Sequence, residues 1–196
     1  MGRAVGRQIV LAGPSGTGKT VTKNLLEAQG LVRYGVTCTT RPVRTGEVDG
    51  KDYDFLTLAE FNAAEAYGQM AERTEYLSNR GHRYGILLHR IEEAEAADLP
   101  TLWVLDTPGL TWMRTHFGKD NVVSIAFTAD KEVLRQRLER RDGTVGTRLN
   151  NYIEEMHLAI TACDYAFDTS RRTVKQTAEA VKAWAGLEGE KSGAKG

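Results

Sequence analysis

The stretch Gln8-Ile-Val-Leu-Ala12 runs into Gly13-Pro-Ser-Gly16-Thr-Gly18-Lys19-Thr20, and residues 19–29 follow with helix-forming character. An apolar run, a glycine-rich turn and a helix form the unit that confirms a GxxxxGK[ST] phosphate loop. Each residue type has a chemical reason. Glycines let backbone N–H groups curl around a phosphate, and the helix N-terminus adds positive potential. Gly13, Ser15, Gly16, Thr17 and Gly18 therefore read as the cradle for a nucleoside triphosphate, with ATPase, GTPase and small-molecule kinase all open. Lys19 can bridge the β- and γ-phosphates, and the Thr20 hydroxyl can face Mg²⁺.

Outward from this unit the chain alternates. Residues 35–39, 101–106, 122–127 and 165–167 read as strands. Residues 87–97, 131–140, 149–161 and 173–184 read as helices. Thr57 with Glu60, and Thr173 with Gln176, have capping-box spacing. The pattern predicts α/β with a mostly parallel sheet. Asp106 closes the buried run TLWVLD, where open parallel sheets bind ligands. It can hold Mg²⁺ through water or contact the acceptor. Asp106-Thr-Pro-Gly109 also has the DxxG form of GTPases, but no NKxD follows.

Composition narrows the class. The chain has 196 residues, 26 Lys+Arg against 26 Asp+Glu, 41% apolar residues and 27% charged residues. This is an ordinary globular balance, long enough to bury roughly 70% of the unfolded surface without staples. Zero net charge argues against a dedicated nucleic-acid binder. No 18-residue apolar run or signal core predicts a membrane partner. Cys38 and Cys163 have neither metal nor disulfide spacing, which fits a cytoplasmic setting. Monomer and homodimer both stay open. Residues 186–196 are Gly/Lys/Glu-rich and read as a disordered tail.

A second segment carries chemistry: Thr37-Cys-Thr-Thr-Arg41-Pro-Val-Arg44-Thr-Gly-Glu47-Val-Asp-Gly-Lys-Asp-Tyr53-Asp-Phe55. Two guanidinium forks beside a phenol hydroxyl make a phosphate clamp. Together with the phosphate loop, the segment resembles the TTRxxRxGExxGxDYxF signature of guanylate kinases, and the likeness runs from about residue 8 to 184. The resemblance implies ATP-dependent phosphorylation of a nucleoside monophosphate, GMP or dGMP, with Mg²⁺ and small nucleotides as partners. It implies that Arg41, Arg44 and Tyr53 grip the acceptor phosphate, and that Thr37, Tyr84 and Asp106 line its site. Glu72 is matched to the base-reading Glu, with Glu75 as the alternative alignment. Arg137, Arg141 and Arg148 match the catalytic lid arginines, and Asp168 or Thr169 falls near the adenine.

The implied fold is a three-layer α/β phosphate-loop kinase with a parallel central sheet flanked by helices, divided into a core of residues 8–36, 90–139 and 149–185, an acceptor subdomain of 37–89 and a lid of 140–148, all in one domain spanning 1–185. Ile86 stands where the family has Ser or Thr, and Pro108 replaces a second Asp. A kinase of another phosphorylated acceptor therefore stays open, as does a non-catalytic binding module of the same fold.

Overall fold

The structure, a computed structural model, describes residues 7–74, 81–143, 145 and 149–187, the side chains of 72–74 and 142 excepted. Glu75, Arg148 and residues 188–196 lie outside the described residues.

The chain alternates as its pattern predicts. In order come β1 (Gln8–Ala12), α1 (Lys19–Ala28), β2 (Arg33–Tyr34), β3 (Cys38–Thr39), β4 (Asp54–Phe55), α2 (Leu58–Ala66), β5 (Met70–Thr74) and β6 (Tyr84–Leu87). Then follow α3 (Leu88–Glu95), β7 (Thr101–Val104), α4 (Thr107–Phe117), β8 (Val122–Thr128), α5 (Lys131–Asp142), α6 (Tyr152–Ala162), β9 (Tyr165–Asp168) and α7 (Val174–Ala185). The main sheet has the order β2-β7-β1-β8-β9, with every pairing parallel.

A sheet covered on both faces explains the unbroken apolar runs of its strands. Side chains still alternate within them. Ile9 and Leu11 point to one face with Leu26, Leu102, Phe127 and Val181. Val10 points to the other with Trp103, Ile91, Leu110 and Met113. The first face is closed by α1 and α7, the second by α3 and α4. Both sequence-predicted capping boxes form, at Thr57–Glu60 and at Thr173–Gln176.

Three readings change. The run 35–39 is not one strand. Arg33–Tyr34 pairs with β7, whereas Cys38–Thr39 joins a second sheet of order β4-β3-β6-β5. The break falls at Gly35, where a Cβ would lie 2.2 Å from the Trp103 ring. The chain can lie flat on Trp103 only without a side chain, and it then leaves one sheet for the other. The second change concerns Asp106, which ends no strand. It is the N-cap of α4, its Oδ1 accepting from Gly109 N at 2.9 Å. An Asp cap, a Pro in the first turn and Leu110, Met113 and Phe117 at helical spacing are the signals for α4.

The third change is at two segment ends. Helix α5 continues through Arg140 and Arg141 to Asp142, because no residue before Gly143 breaks it. Gly186 caps α7, and Leu187 is buried against Leu26 and its neighbours, so the core extends past residue 185.

Candidate active site

One cleft of about 1300 Å³ opens at the carboxyl ends of β1 and β7, between the main sheet and the second sheet. Its floor is the phosphate loop. Gly13 has φ +118, and a Cβ there would meet the Phe127 carbonyl oxygen at 2.2 Å. The loop can therefore leave β1 and pass beside β8 only with glycine at this position. At its far end Gly18 caps α1 without a side chain, which leaves the first helical N–H groups facing the cleft.

Lys19 folds back over the loop it ends. Its Nζ donates to the carbonyls of Gly13 at 2.5 Å and Pro14 at 2.8 Å, and approaches Thr17 Oγ1 at 3.4 Å. Burial lowers its pKa from 10.5 to about 8, against the pull of Glu155 and with a push from Arg141. Such a cation favours any anion that enters. Thr20 opens the next turn with its side chain exposed.

Thr37, Arg41, Arg44, Tyr53 and Tyr84, which the sequence assigns to an acceptor, all line this cleft. Arg41 is buried, and its fork binds Glu47 through two bonds of 2.7 and 2.6 Å. The guanidinium lies 4.8 Å above the Tyr53 ring centroid and 5.2 Å above that of Phe55. Burial pushes the Glu47 carboxyl up, but Arg41 and the Arg44 N–H outweigh it and hold its pKa below the usual range. Tyr53 sits edge-on to Tyr84, and burial and that neighbour raise its pKa. Thr37 is buried at the back of the cleft, sharing a hydrogen bond with Tyr34.

The Arg44 guanidinium makes no hydrogen bond among the described residues, although its N–H donates to Glu47 Oε2 at 2.9 Å. Burial lowers its pKa, and so do Arg41 and Arg141 across the cleft.

Two arginines reach in from α5. Arg141 Nη2 lies 3.3 Å from Ser15 Oγ, and burial and Arg41 lower its pKa. Arg137 donates to Gly16 O at 3.3 Å and to Thr169, and burial lowers its pKa against Asp168. Lys19, Arg44, Arg137 and Arg141 are thus four cations whose charge the cleft disfavours. An anion with several charged oxygens favours such cations when it enters the cleft. Arg135 pairs with Glu132 and Glu139 on the exposed side of α5, as a solvated face does.

The remaining sequence candidates divide. Asp106 lines the cleft while capping α4. Glu72 lies on β5, paired in register with Ile86, and its side chain is outside the described residues. Ile86 is fully buried among Val10, Trp103 and Leu110, so it packs the core beneath the second sheet. Pro108 lines the cleft at the start of α4.

Sequence reasoning missed several supports. Arg90 on α3 holds Asp54 through bonds of 2.9 and 2.6 Å and also binds Glu93, which fixes β4 next to Tyr53. Lys23 is buried with Nζ 3.8 Å over the Tyr34 ring. Arg90 and Glu93 have the i,i+3 spacing of an ordinary helix-surface pair, whereas Asp54 lies 36 residues away, so no spacing rule identifies that contact. Lys23, one turn after Lys19 on α1, is readable as inward-facing from helical period alone.

Among the described residues no cluster of His, Cys, Asp and Glu could hold a metal ion by itself. Nor is any helix long and apolar enough to cross a membrane.

Comparison with known proteins agrees with this geometry. The family model described as guanylate kinase matches residues 5–184. The chain is 33% identical over 180 residues to a guanylate kinase of Chlorobium luteolum, covering 90% of this chain and 89% of that one. It is 36% identical over 186 residues to a guanylate kinase of Lactococcus lactis, covering 92% and 87%. The crystal structure of guanylate kinase from Anaplasma phagocytophilum superposes with a TM-score of 0.73 at 30% identity, over 98% of this chain and 90% of that one. A phosphate loop, an arginine clamp and a match over nearly the whole chain lead to one conclusion: this protein belongs to the guanylate kinase family.

Proposed function

We propose that this protein transfers the γ-phosphoryl group of ATP to GMP or dGMP, giving ADP and the nucleoside diphosphate. The observation that carries this reading is the meeting of two phosphate-binding sets in one cleft. The loop of residues 13–20 forms one side, and Arg41, Arg44 and Tyr53 form the other, with Arg137 and Arg141 reaching between them.

In this reading the N–H groups of Gly13, Ser15, Gly16, Thr17 and Gly18 hold the β-phosphate of ATP, and Lys19 leaves the Gly13 and Pro14 carbonyls for the β- and γ-oxygens. Arg41 and Arg44 fix the acceptor phosphate, with Glu47 keeping the Arg41 fork in its plane. Tyr53 adds a hydroxyl. Thr37 and Tyr84 flank the acceptor, and Glu72 reads its base. Arg137, Arg141 and Arg148 spread positive charge around the moving phosphoryl group. No general base is needed, because a phosphate oxygen of the acceptor is already anionic near neutral pH.

Oxygen donors suit Mg²⁺, which keeps much of its shell as water and nucleotide oxygens. The Thr20 hydroxyl and, through water, Asp106 would hold it, and it would supply neutralising charge at the phosphates. Residues 37–89 act as the acceptor-holding unit. Residues 140–148 act as the lid that excludes water and releases product.

A different phosphorylated acceptor is the second reading. Pro108 favours it, because it lines the cleft at the start of α4 where the family has a second carboxylate.

Two variants test the proposal by partition. Lys19→Ala is expected to fold and to lose most turnover, and near-native turnover refutes the role of the loop. Arg44→Ala is expected to weaken acceptor binding at least about tenfold more than ATP binding. Equal loss for both substrates refutes the clamp.

A further inference from the structure

Residue 169 follows the last residue of β9, and its side chain is 3% exposed. Four parts of the fold meet at this one threonine. Its Oγ1 lies 3.0 Å from the Thr17 carbonyl of the phosphate loop and 3.0 Å from the Thr128 carbonyl at the end of β8. On its other side Oγ1 accepts from Arg137 Nη1 at 3.0 Å. The Thr169 carbonyl accepts from Arg137 Nη2 at 2.7 Å. The Thr169 N–H in turn donates to Thr128 O at 2.9 Å, which fixes the backbone that carries both groups.

A hydroxyl has one proton and two lone pairs. The Thr169 proton therefore goes to one of two protein carbonyls, while a lone pair takes the Arg137 N–H. Hydroxyl and carbonyl together hold the flat guanidinium by two of its nitrogens. A flexible side chain becomes a fixed donor, and Nη1 is left within 3.3 Å of Gly16 O on the loop. The partners of the hydroxyl are a phosphate-loop carbonyl, the carbonyl that ends β8 and Arg137 itself.

We propose that Thr169 is a positioning residue for phosphoryl transfer: it locks the Arg137 guanidinium against the phosphate loop in the orientation that serves the transferred group. The inference rests on the reading of Arg137 as a phosphoryl-side cation.

Steady-state kinetics on the full chain tests it, with Thr169→Val, Thr169→Ser, Arg137→Ala and the double variant Arg137→Ala/Thr169→Val. Thr169→Val keeps the shape and removes the hydroxyl. It is expected to lower kcat on the order of tenfold while the KM values for ATP and GMP stay within about twofold. Thr169→Ser keeps the hydroxyl and is expected to restore kcat to within about twofold of the native value. The double variant is expected to be no slower than Arg137→Ala, because the two residues act as a unit. Thermal melts monitor folding. If Thr169→Val folds poorly, Thr169→Ala removes the same hydroxyl without a methyl in its place.

A raised KM for ATP with native kcat in Thr169→Val overturns the proposal in favour of a base contact. Equal losses in Thr169→Ser and Thr169→Val overturn it too, because the hydroxyl is then not the cause. A slow Arg137→Ala beside a native Thr169→Val refutes positioning alone. A native kcat in Arg137→Ala refutes the role of Arg137 itself, and the inference falls with it.

Discussion

Raising the pH from 7 to 9.5 should strip this protein of most of its affinity for ADP. The cause is Lys19. In the ligand-free cleft its ammonium is enclosed by the loop, and its pKa falls from 10.5 to about 8. Phosphate oxygens beside Nζ reverse that shift, because an adjacent anion favours the charged form. Above pH 8, binding must therefore take up a proton, and affinity falls tenfold per pH unit until the bound-state pKa is reached.

With a free-state pKa near 8, the fall from pH 7 to 9.5 is roughly 30-fold, about 2 kcal/mol. Part of the side chain touches water, which makes this an upper value. Isothermal titration of ADP across the range, in two buffers of different ionisation heat, reads both the affinity and the proton uptake. The same titrations on Lys19→Met should give weaker but pH-independent binding. Native affinity that stays flat to pH 9.5, or an equal fall in Lys19→Met, would refute the reasoning.

Stability follows from the same shift with the opposite sign. Between pH 8 and 10.5 the unfolded chain holds a proton on Lys19 that the native state has lost. The ligand-free protein should therefore gain stability over this window relative to Lys19→Met in urea melts. Gly35→Ala should cost about 3 kcal/mol in the same assay, because its Cβ would sit 2.2 Å from the Trp103 ring in a packed core; a native midpoint would show that the hinge has room. Glu47→Gln should raise the KM for the acceptor on the order of tenfold with the KM for ATP unchanged, since it weakens the two bonds that orient Arg41. A matched rise in both constants would mean that Glu47 only supports the fold.

What could be read from the chain depended on how local the signal was. The phosphate loop announces itself within eight residues, Thr57 and Thr173 within four, and each forms as its spacing implies. The parallel sheet follows from short apolar runs between helices. The second sheet was hidden because β3 and β4 are two residues each, too short for any periodicity. Helix α4 was hidden behind Asp106, whose place after a buried strand suggests a ligand contact, although its carboxylate first caps a helix.

The same divide runs through the site. Arg41, Arg44 and Tyr53 lie close in sequence and read as a clamp. The Thr169–Arg137 pair spans 32 residues and Arg90–Asp54 spans 36, and only the fold brings such partners together. Ile86 shows the converse. By sequence it is a departure in the base pocket, whereas its side chain fills the core between β1 and α4.

The central claim is a phosphoryl transfer to GMP or dGMP, and a coupled ADP-release assay tests it most directly. Mg-ATP would be supplied with GMP, dGMP, AMP, CMP, UMP or dTMP at equal concentration, beside a control without acceptor. The account predicts rapid release with GMP and dGMP, background release without acceptor, and little with the other four. Background rates with both guanine nucleotides, or a faster rate with any of the others, would contradict it.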